Sequence, residues 1–444
     1  MSSVKLYCKK TCEFIFGTNE NIPMIEETTT SSTKLITERN KNYVSKLKRM
    51  KKKQSKSIEI NMIKSPYAHS TKSPEDSLPS MNLNLKNIKN NISIDDFKLI
   101  AILGKGAFGK VKFVKYLRDG KYYAMKVLKK ELVRRTKQVD HTKSEKRIMQ
   151  LIDNDFIVKL FFSFQTAERL YMVMEFMQGG ELFFHLKQQR KFNESRAKLY
   201  ACEIIVALEH LHKNQIIYRD LKPENILLDI HGHLKLTDFG LSKMILDEED
   251  EELELPNLNE KYNNKQSANK LKAFTICGTP EYLCPEILSG KGYDKTVDWW
   301  SLGVLIYEMI AGYSPFKNIN KNKLDLSSYF KPIKYKNFSE DAESLISGLL
   351  QTDYTKRLGY GANDADDLKY HRFFIGINWE DVYNKKLNHS FKPTVNGPED
   401  LRYFDTMFTN ESPRESFTTG VTESKFYSKK EDGNYDRFTF VRDD

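Results

Sequence analysis

The stretch YRDLKPEN (218–225) concentrates polar side chains that pack poorly but could carry out phosphoryl transfer. Asp220 can accept the proton of a hydroxyl nucleophile, and Lys222 can neutralise charge on a transferring phosphoryl group. Asn225, together with Asp238 in the following TDFG, offers the hard oxygen ligands that two magnesium ions on a triphosphate require. These four residues therefore predict transfer of a phosphoryl group from ATP, with Mg²⁺ as the metal.

A glycine-rich turn precedes this stretch and lies between two predicted strands. Gly104, Gly106 and Gly109 have the spacing G-x-G-x-x-G. The strand–turn–strand setting disfavours a dinucleotide-binding site and favours a flap whose backbone N–H groups cover phosphates. Lys126 follows on the next predicted strand, where it could reach those phosphates. An ordinary surface lysine is the alternative, but a chance association of flap, loop and DFG in this order is negligible.

The elements that must position these residues fall into two groups along the chain. Residues 97–116 and 121–130 have the short apolar runs, the β-branched and aromatic residues and the glycines of paired strands. Helical spacing takes over in 195–215, and further helices are predicted at 297–311 and 340–350. The apolar stripe of the first helix consists of Ala201, Ile204, Ile205, Leu208 and Leu211. A strand-rich part followed by a helix-rich part predicts an α+β protein of two lobes.

The charge of the chain excludes one class of function. The net charge is +11, but most of it lies in residues 1–94, which are rich in Ser, Thr, Asn and Lys and are predicted to be mostly disordered. The remainder is nearly neutral, so a nucleic-acid-binding domain is not expected.

The basic block 46–56 could serve nuclear import or contact an acidic membrane weakly, with a solvated tail as the equal alternative. Five scattered cysteines without metal-ligand spacing suit a reducing compartment.

These motifs together resemble those of eukaryotic protein kinases over residues 97–374. The resemblance implies that Glu145 holds Lys126 and that the activation segment runs from Asp238 to Glu286, with Cys-Pro-Glu in place of Ala-Pro-Glu. It also implies that Arg357 pairs with Glu286, and it includes Asp298 in DWWSLG. The implied nucleotide-binding residues are Leu103, Gly104, Lys105, Gly106, Ala107, Phe108, Gly109, Val111, Ala124, Lys126, Glu175, Met177, Glu181 and Phe404.

The stretch TICGTPEYLCPE (275–286) narrows the resemblance to the AGC group of serine/threonine kinases. In that group Thr275 would be phosphorylated and would pair with Arg219 beside Asp220. Thr279 matches the threonine that favours Ser/Thr over Tyr substrates. The acidic side chains expected to recognise arginines upstream of the phospho-acceptor are Glu181, Glu224 and Glu308.

The chain end YDRFTF (435–440) is similar to the hydrophobic motif of AGC kinases, with Tyr435 in place of the first Phe. The resemblance implies that Phe438 and Phe440 fill a pocket beside the Glu145 helix and that phosphate on Thr439 fastens them. Phe404 and Phe408 match the tail segment that passes over the adenine site, and Ser412 matches the turn-motif phosphosite. The closest branch by these features contains protein kinase B, SGK and ribosomal S-six kinases.

The sequence thus predicts a basic extension (1–94), a kinase domain (95–374) and an AGC tail (375–444). The small lobe is placed at about 95–177 and the large lobe at 178–374, with an acidic activation-segment insertion at about 247–270.

The predicted function is phosphorylation of Ser/Thr in basic contexts, activated by upstream kinases at the activation loop and the hydrophobic motif. The alternatives are a pseudokinase scaffold and another AGC branch, such as a cyclic-nucleotide-dependent catalytic subunit. Without a signal peptide or a spanning segment, the expected location is the cytoplasm, with the nucleus as a second location.

Overall fold

The computed structural model describes residues 92–245, 273, 275, 277–290, 292–316, 329, 331–414 and 435–442. The predictions for residues 1–91, which include the basic block 46–56, lie outside the described residues. The same holds for the acidic insertion at 247–270.

The small lobe is built on one antiparallel sheet. Its strands are β1 (Phe97–Lys105), β2 (Gly109–Tyr116), β3 (Tyr122–Lys129), β4 (Leu160–Gln165) and β5 (Arg169–Glu175). The spatial order is β1-β2-β3-β5-β4, and a two-residue strand from the tail follows β4 at the edge. Two helices lie between β3 and β4 in the chain, namely α1 (Lys130–Arg135) and α2 (Val139–Leu151). The predicted strand-rich first part is confirmed.

The large lobe is mainly helical. Its helices are α3 (Leu182–Gln189), α4 (Glu194–Lys213), α5 (Pro285–Ser289), α6 (Thr296–Ala311), α7 (Glu340–Leu349), α8 (Ala365–Lys369) and α9 (Trp379–Tyr383). Short strand pairs join β6 (Ile216–Ile217) to β9 (Lys243–Met244) and β7 (Ile226–Leu228) to β8 (Leu234–Leu236). One-turn 3₁₀ helices occupy Ile94–Asp96, Pro223–Asn225, Pro280–Tyr282, Tyr354–Lys356 and Arg372–Phe374. The two-lobed α+β fold is thereby confirmed.

The central helices of the large lobe begin and end where the local chemistry predicts. The Asn193 side chain caps α4 by accepting from Arg196 N, and Ser339 caps α7 by accepting from Ala342 N. Helix α6 ends at Gly312, which has φ +84° and whose added Cβ would lie 2.3 Å from the Arg190 carbonyl oxygen. Only glycine fits that end. The predicted apolar stripe of α4 is fully buried.

The tail runs back along both lobes. Phe391 stacks edge-on against His185 of α3, and the Gln178 side chain donates to the Gly397 carbonyl at 2.6 Å. The tail then forms the short helix α10 (Thr406–Thr409), and after residues 415–434 it adds β10 (Phe440–Val441) antiparallel to β4. The tail therefore bridges the lobes and completes the small-lobe sheet.

A buried cluster of two histidines and one glutamate fastens the start of the tail to the large lobe. His233 Nδ1 and His389 Nε2 lie 2.6 and 2.8 Å from the same Oε1 of Glu203. Glu203 Oε2 accepts the Leu234 N–H at 2.7 Å. Burial would raise the pKa of Glu203, but the hydrogen bonds from His233 and His389 outweigh it and lower that pKa. These are hydrogen-bond distances, so the cluster is an anchor between α4, β8 and the tail.

In the part of the chain that the structure describes, each helix is too short or too polar to span a membrane.

Candidate active site

Asp220, Lys222 and Asn225 lie together in the loop between β6 and β7. Asp220 Oδ2 accepts from Lys222 Nζ and from Asn225 Nδ2, both at 2.7 Å. Thr279 Oγ1 lies 3.4 Å from the other Asp220 oxygen. Burial raises the pKa of Asp220, and the Lys222 ammonium opposes that shift. The loop therefore presents a carboxylate with a cation directly beside it, as a proton acceptor in phosphoryl transfer requires.

Asp298, a buried carboxylate on α6, fixes the backbone of this loop. It accepts the Tyr218 N–H at 2.9 Å and the Arg219 N–H at 2.8 Å. His212 of α4 donates to Asp298 at 2.8 Å and faces Asp364 at 3.1 Å with its other ring nitrogen. Burial would lower the pKa of His212, but the two carboxylates outweigh it and raise the pKa to about 9. The protonated His212 thus links Asp298 to Asp364 and holds the loop rigid.

Lys126, Glu145 and Asp238 come from three distant segments and meet in the cleft between the lobes. Lys126 Nζ lies 2.6 Å from Glu145 Oε1 and 3.3 Å from Asp238 Oδ1. Burial would lower the pKa of Lys126, but the two carboxylates raise it, and Lys126 in turn lowers the pKa of Asp238. Burial raises the pKa of Glu145 against the pull of Lys126. The contact that the sequence predicted between Lys126 and Glu145 is present.

Asp238 and Asn225 are the residues that could hold magnesium. Asp238 has φ +57°, a backbone conformation disfavoured for a non-glycine residue. Its side chain is 51% exposed, so the carboxylate faces the cleft. Asn225 uses its amide N–H group on Asp220, which leaves its carbonyl oxygen as a ligand. Hard oxygen donors from one carboxylate and one amide suit Mg²⁺, which keeps several water or phosphate ligands of its own.

The glycine-rich turn joins β1 to β2. An added Cβ at Gly109 would lie 1.8 Å from the Val127 carbonyl oxygen, so the close approach of β2 to β3 requires glycine there. Gly104 and Gly106 face open space, with nothing within 4 Å of an added Cβ. This space admits phosphates close to the backbone. Lys105 at the turn pairs with Glu411 of the tail at 2.5 Å.

The other predicted nucleotide-binding residues lie on β1, β2, β3, the glycine-rich turn and the tail. Val111 is paired with Gly104 on one side and with Lys126 on the other. Phe404 of the tail stacks on Phe176 with ring centroids 5.7 Å apart. The remaining members on β1, on β3 and in the turn are Leu103, Ala107, Phe108 and Ala124.

Two predicted nucleotide-binding side chains point elsewhere. Glu175 accepts from Lys235 Nζ at 2.8 and 2.7 Å, and Met177 is 3% exposed within the core. For these two residues only the main chain is left for a nucleotide. Sequence reasoning did not separate side-chain from main-chain contacts at this connection between the lobes.

The activation segment is anchored at its C-terminal end by a buried ion pair. Arg357 donates to both Glu286 oxygens, at 2.5 and 3.0 Å, which is the bidentate geometry of a strong pair. Thr275 is exposed, and its carbonyl accepts from the Tyr293 hydroxyl at 2.6 Å. Arg219 donates to that same hydroxyl at 2.9 Å. One hydroxyl therefore separates Arg219 from the backbone of Thr275.

Three acidic residues were predicted to recognise substrate arginines. Glu224 lies in the loop between β6 and β7, and Glu181 and Glu308 lie close enough to it to feel its charge. Partial desolvation in the cleft, together with the Glu224 charge, raises the pKa of Glu181 to about 7. Desolvation raises the pKa of Glu308 to about 7, with Glu224 contributing again and a hydrogen bond from Tyr282 opposing the shift. Desolvation also raises the pKa of Glu224. Glu224 thus repels both Glu181 and Glu308, and an incoming cation would relieve that repulsion.

The hydrophobic motif lies against α2 and β4. Phe438 and Tyr435 are 2% and 1% exposed, whereas Phe440 is half-buried and Thr439 is exposed. Phe440 packs against the same core as Phe438 and pairs with β4 as part of β10. Tyr435, to which the sequence assigned no pocket, is the most buried of the three aromatic residues. Ser412, the predicted turn-motif site, is also exposed.

Three polar side chains that sequence reasoning missed bind the backbone of this motif. Lys146 donates to the Arg437 carbonyl at 2.8 Å, Ser163 to Phe438 at 2.6 Å and Gln165 to Tyr435 at 3.0 Å. Lys146 follows Glu145 directly on α2, so the motif contacts the helix that supplies the Lys126 partner. No local pattern could reveal these contacts, since the tail meets them from far along the chain.

Comparison with known proteins gives the same assignment. The family model for the protein kinase domain matches residues 97–374, and the protein kinase C terminal domain matches residues 395–440. The chain belongs to the protein kinase family. This kinase is 44% identical over 356 residues to "Protein kinase 2" of Dictyostelium discoideum. The aligned region covers 80% of this chain and 69% of that relative.

Two further relatives define the branch. The kinase is 44% identical over 335 residues to "Serine/threonine-protein kinase Sgk1" of Rattus norvegicus, covering 75% of this chain and 73% of the relative. It is 42% identical over 350 residues to human "RAC-beta serine/threonine-protein kinase", and this alignment covers 78% of this chain and 68% of the relative. The kinase is therefore a serine/threonine kinase of the AGC type, in the protein kinase B and SGK branch, as the sequence predicted. The pseudokinase alternative is set aside.

Proposed function

We propose that this kinase phosphorylates Ser or Thr in peptides with arginine upstream of the acceptor, and that phosphate at Thr275 and Thr439 activates it. The first part is supported by Glu181 and Glu308, whose pKa values are both raised by desolvation and by the charge of Glu224 in the loop between β6 and β7. Carboxylates whose pKa is raised by desolvation and by a neighbouring carboxylate gain from a guanidinium, which can bind them in a bidentate, charge-assisted geometry.

In the proposed mechanism Asp220 accepts the proton of the substrate hydroxyl, and its neighbour Lys222 screens the charge that develops on the transferring group. Lys126, held by Glu145, orients the nucleotide phosphates beneath the glycine turn. Asn225 and Asp238 would hold Mg²⁺, which neutralises phosphate charge when bound.

The proposed switch has one part in the activation segment. Phosphate on the exposed Thr275 would be drawn to Arg219, whose guanidinium already contacts the Tyr293 hydroxyl that binds the Thr275 backbone. Because Arg219 precedes Asp220 directly, the new ion pair would stabilise the loop that carries the base. The second part is the tail motif, in which phosphate on Thr439 would favour docking against α2.

The expected partners are substrates with basic motifs and upstream activating kinases. The proposed location is the cytoplasm, with the nucleus as a second location; imaging of the tagged full chain, with and without residues 46–56, tests it. A weak membrane contact through the block 46–56 belongs to the same proposal.

Substrate recognition is tested with the full-length kinase and peptides that carry arginine at the second, third or fifth position before the acceptor. Glu181→Gln should raise the KM of the matching arginine peptide while leaving the arginine-to-alanine peptide unchanged. Glu343→Gln, which alters an exposed glutamate of α7, is the matched control. Equal phosphorylation of both peptides by the unaltered kinase would contradict the proposed recognition.

A further inference from the structure

Arg442, the last described residue of the tail, binds the small lobe beyond the end of the hydrophobic motif. Its N–H donates to the Phe161 carbonyl at 2.8 Å, and its Nε donates to the Leu160 carbonyl at 2.8 Å. Its Nη2 donates to the Met149 carbonyl at 3.2 Å, and its Nη1 lies 3.8 Å from Asp153 Oδ1. The side chain is only 17% exposed. One guanidinium therefore contacts the end of α2, the loop after it and the start of β4.

The Met149 carbonyl that Arg442 contacts belongs to the C-terminal end of α2. Met149 lies in the last turn of α2, where the final four carbonyls have no partner further along the helix. These carbonyls also carry the negative end of the helix dipole, which a cation stabilises. Glu145 lies one turn earlier on the same helix. Arg442 thus supplies a side-chain cap to the helix that positions the partner of Lys126.

The shape of the guanidinium suits the site. Its planar fork donates at the same time to a carbonyl of α2 and a carbonyl of β4, so it fixes the end of the helix relative to the strand. A lysine ammonium would keep the charge but lacks the rigid fork. Tyr435 and Phe438 act elsewhere, through apolar burial, and the backbone contact with Lys146 is made by the Arg437 carbonyl.

We propose that Arg442 is a positioning residue that caps α2 and couples docking of the tail to the Lys126–Glu145 contact. The inference deepens the proposed tail regulation and rests on it. Arg442 is not expected to touch ATP or the substrate. Its loss should therefore lower kcat while leaving the KM of the peptide substrate unchanged.

The test compares Arg442→Gln with Arg437→Gln in the full-length kinase. Both changes remove one positive charge from the same segment, but the Arg437 side chain is exposed. Arg442→Gln should lower the ratio of docked to undocked tail on the order of tenfold, as loss of charge-assisted hydrogen bonds predicts. Hydrogen exchange in residues 139–151 should accelerate together with the fall in kcat. Arg442→Lys should recover part of both effects, and Arg437→Gln should change neither.

A background carrying Phe438→Ala separates this inference from the proposed regulation. If Arg442 acts through the docked tail, Arg442→Gln should have no further effect there. Equal kcat and exchange for Arg442→Gln and Arg437→Gln would overturn the role of Arg442, as would a full Arg442→Gln effect in the Phe438→Ala background. Full activity of the Phe438→Ala protein would instead overturn the tail regulation itself.

Discussion

Tyr435 provides the sharpest prediction, because it occupies the one position where the motif departs from phenylalanine. Its ring is 1% exposed, and its buried hydroxyl has no hydrogen-bond partner among the described residues. A buried hydroxyl left without a partner costs about 1–3 kcal/mol. Tyr435→Phe removes that cost and keeps the ring. We therefore expect the ratio of docked to undocked tail to rise about 5- to 150-fold.

The measurement is hydrogen exchange in residues 435–442, made in a Thr439→Ala background so that phosphate does not contribute. Exchange there should slow in Tyr435→Phe, and basal kinase activity should rise. Tyr435→Ala is the opposite control, since losing the buried ring costs about 3–5 kcal/mol and should release the tail. A Tyr435→Phe protein whose tail exchanges as fast as before would refute the reasoning.

Four further predictions concern other parts of the kinase. Asp220→Asn and Lys126→Ala should each lower kcat by about 100-fold or more while the protein stays folded; substantial turnover by Asp220→Asn would contradict its role as the base. Because the pKa of Glu181 is raised to about 7, its carboxylate gains a proton as the pH falls below 7. The KM of an arginine peptide should then rise between pH 8 and 6, and that of its alanine counterpart should not. Arg357→Ala leaves Glu286 charged and buried, so it should destabilise the large lobe by about 3–5 kcal/mol in chemical denaturation; a loss under 1 kcal/mol would count against the pair. Residues 247–270 are rich in acidic residues, which would attract basic substrates or the basic block 46–56. Charge attraction is screened within about 8 Å at physiological salt, so deleting 247–270 should alter activity only at low salt.

How far the sequence predicts the site depends on how local the contacts are. Asp220, Lys222 and Asn225 lie within one short loop, so their chemistry could be inferred from residue type and spacing. The meeting of Lys126 with Glu145 is different, because it depends on how α2 packs on the sheet. Only the resemblance to other kinases predicted that contact.

The contacts of the tail could be predicted from the sequence only in part. The resemblance predicted that aromatic residues near the end would bury beside the Glu145 helix, but not that Tyr435 would be more buried than Phe440. Phe440 pairs with Ser163 of β4, whereas Tyr435 precedes the strand, so the burial of each depends on how the tail docks on the small lobe. No local pattern singled out Arg442, since its hydrogen-bond partners are backbone carbonyls and a carbonyl has no sequence signature.

The pairing of β10 with β4 also explains why small changes in the tail should matter. Strand β4 would otherwise be the edge of the sheet, and an uncovered edge favours unwanted pairing. The segment that covers it belongs to the same chain, so docking is intramolecular, with effective concentrations on the order of millimolar for short linkers. A contact of only millimolar intrinsic affinity would then be about half formed. Near that midpoint, a tenfold gain or loss from the Tyr435 hydroxyl, the Arg442 guanidinium or a phosphate on Thr439 shifts the docked fraction from about one half to about nine-tenths or one-tenth. We therefore expect these three positions to be energetically comparable, and double-mutant combinations among them to be additive in docking free energy but not in activity, which saturates once the tail is docked.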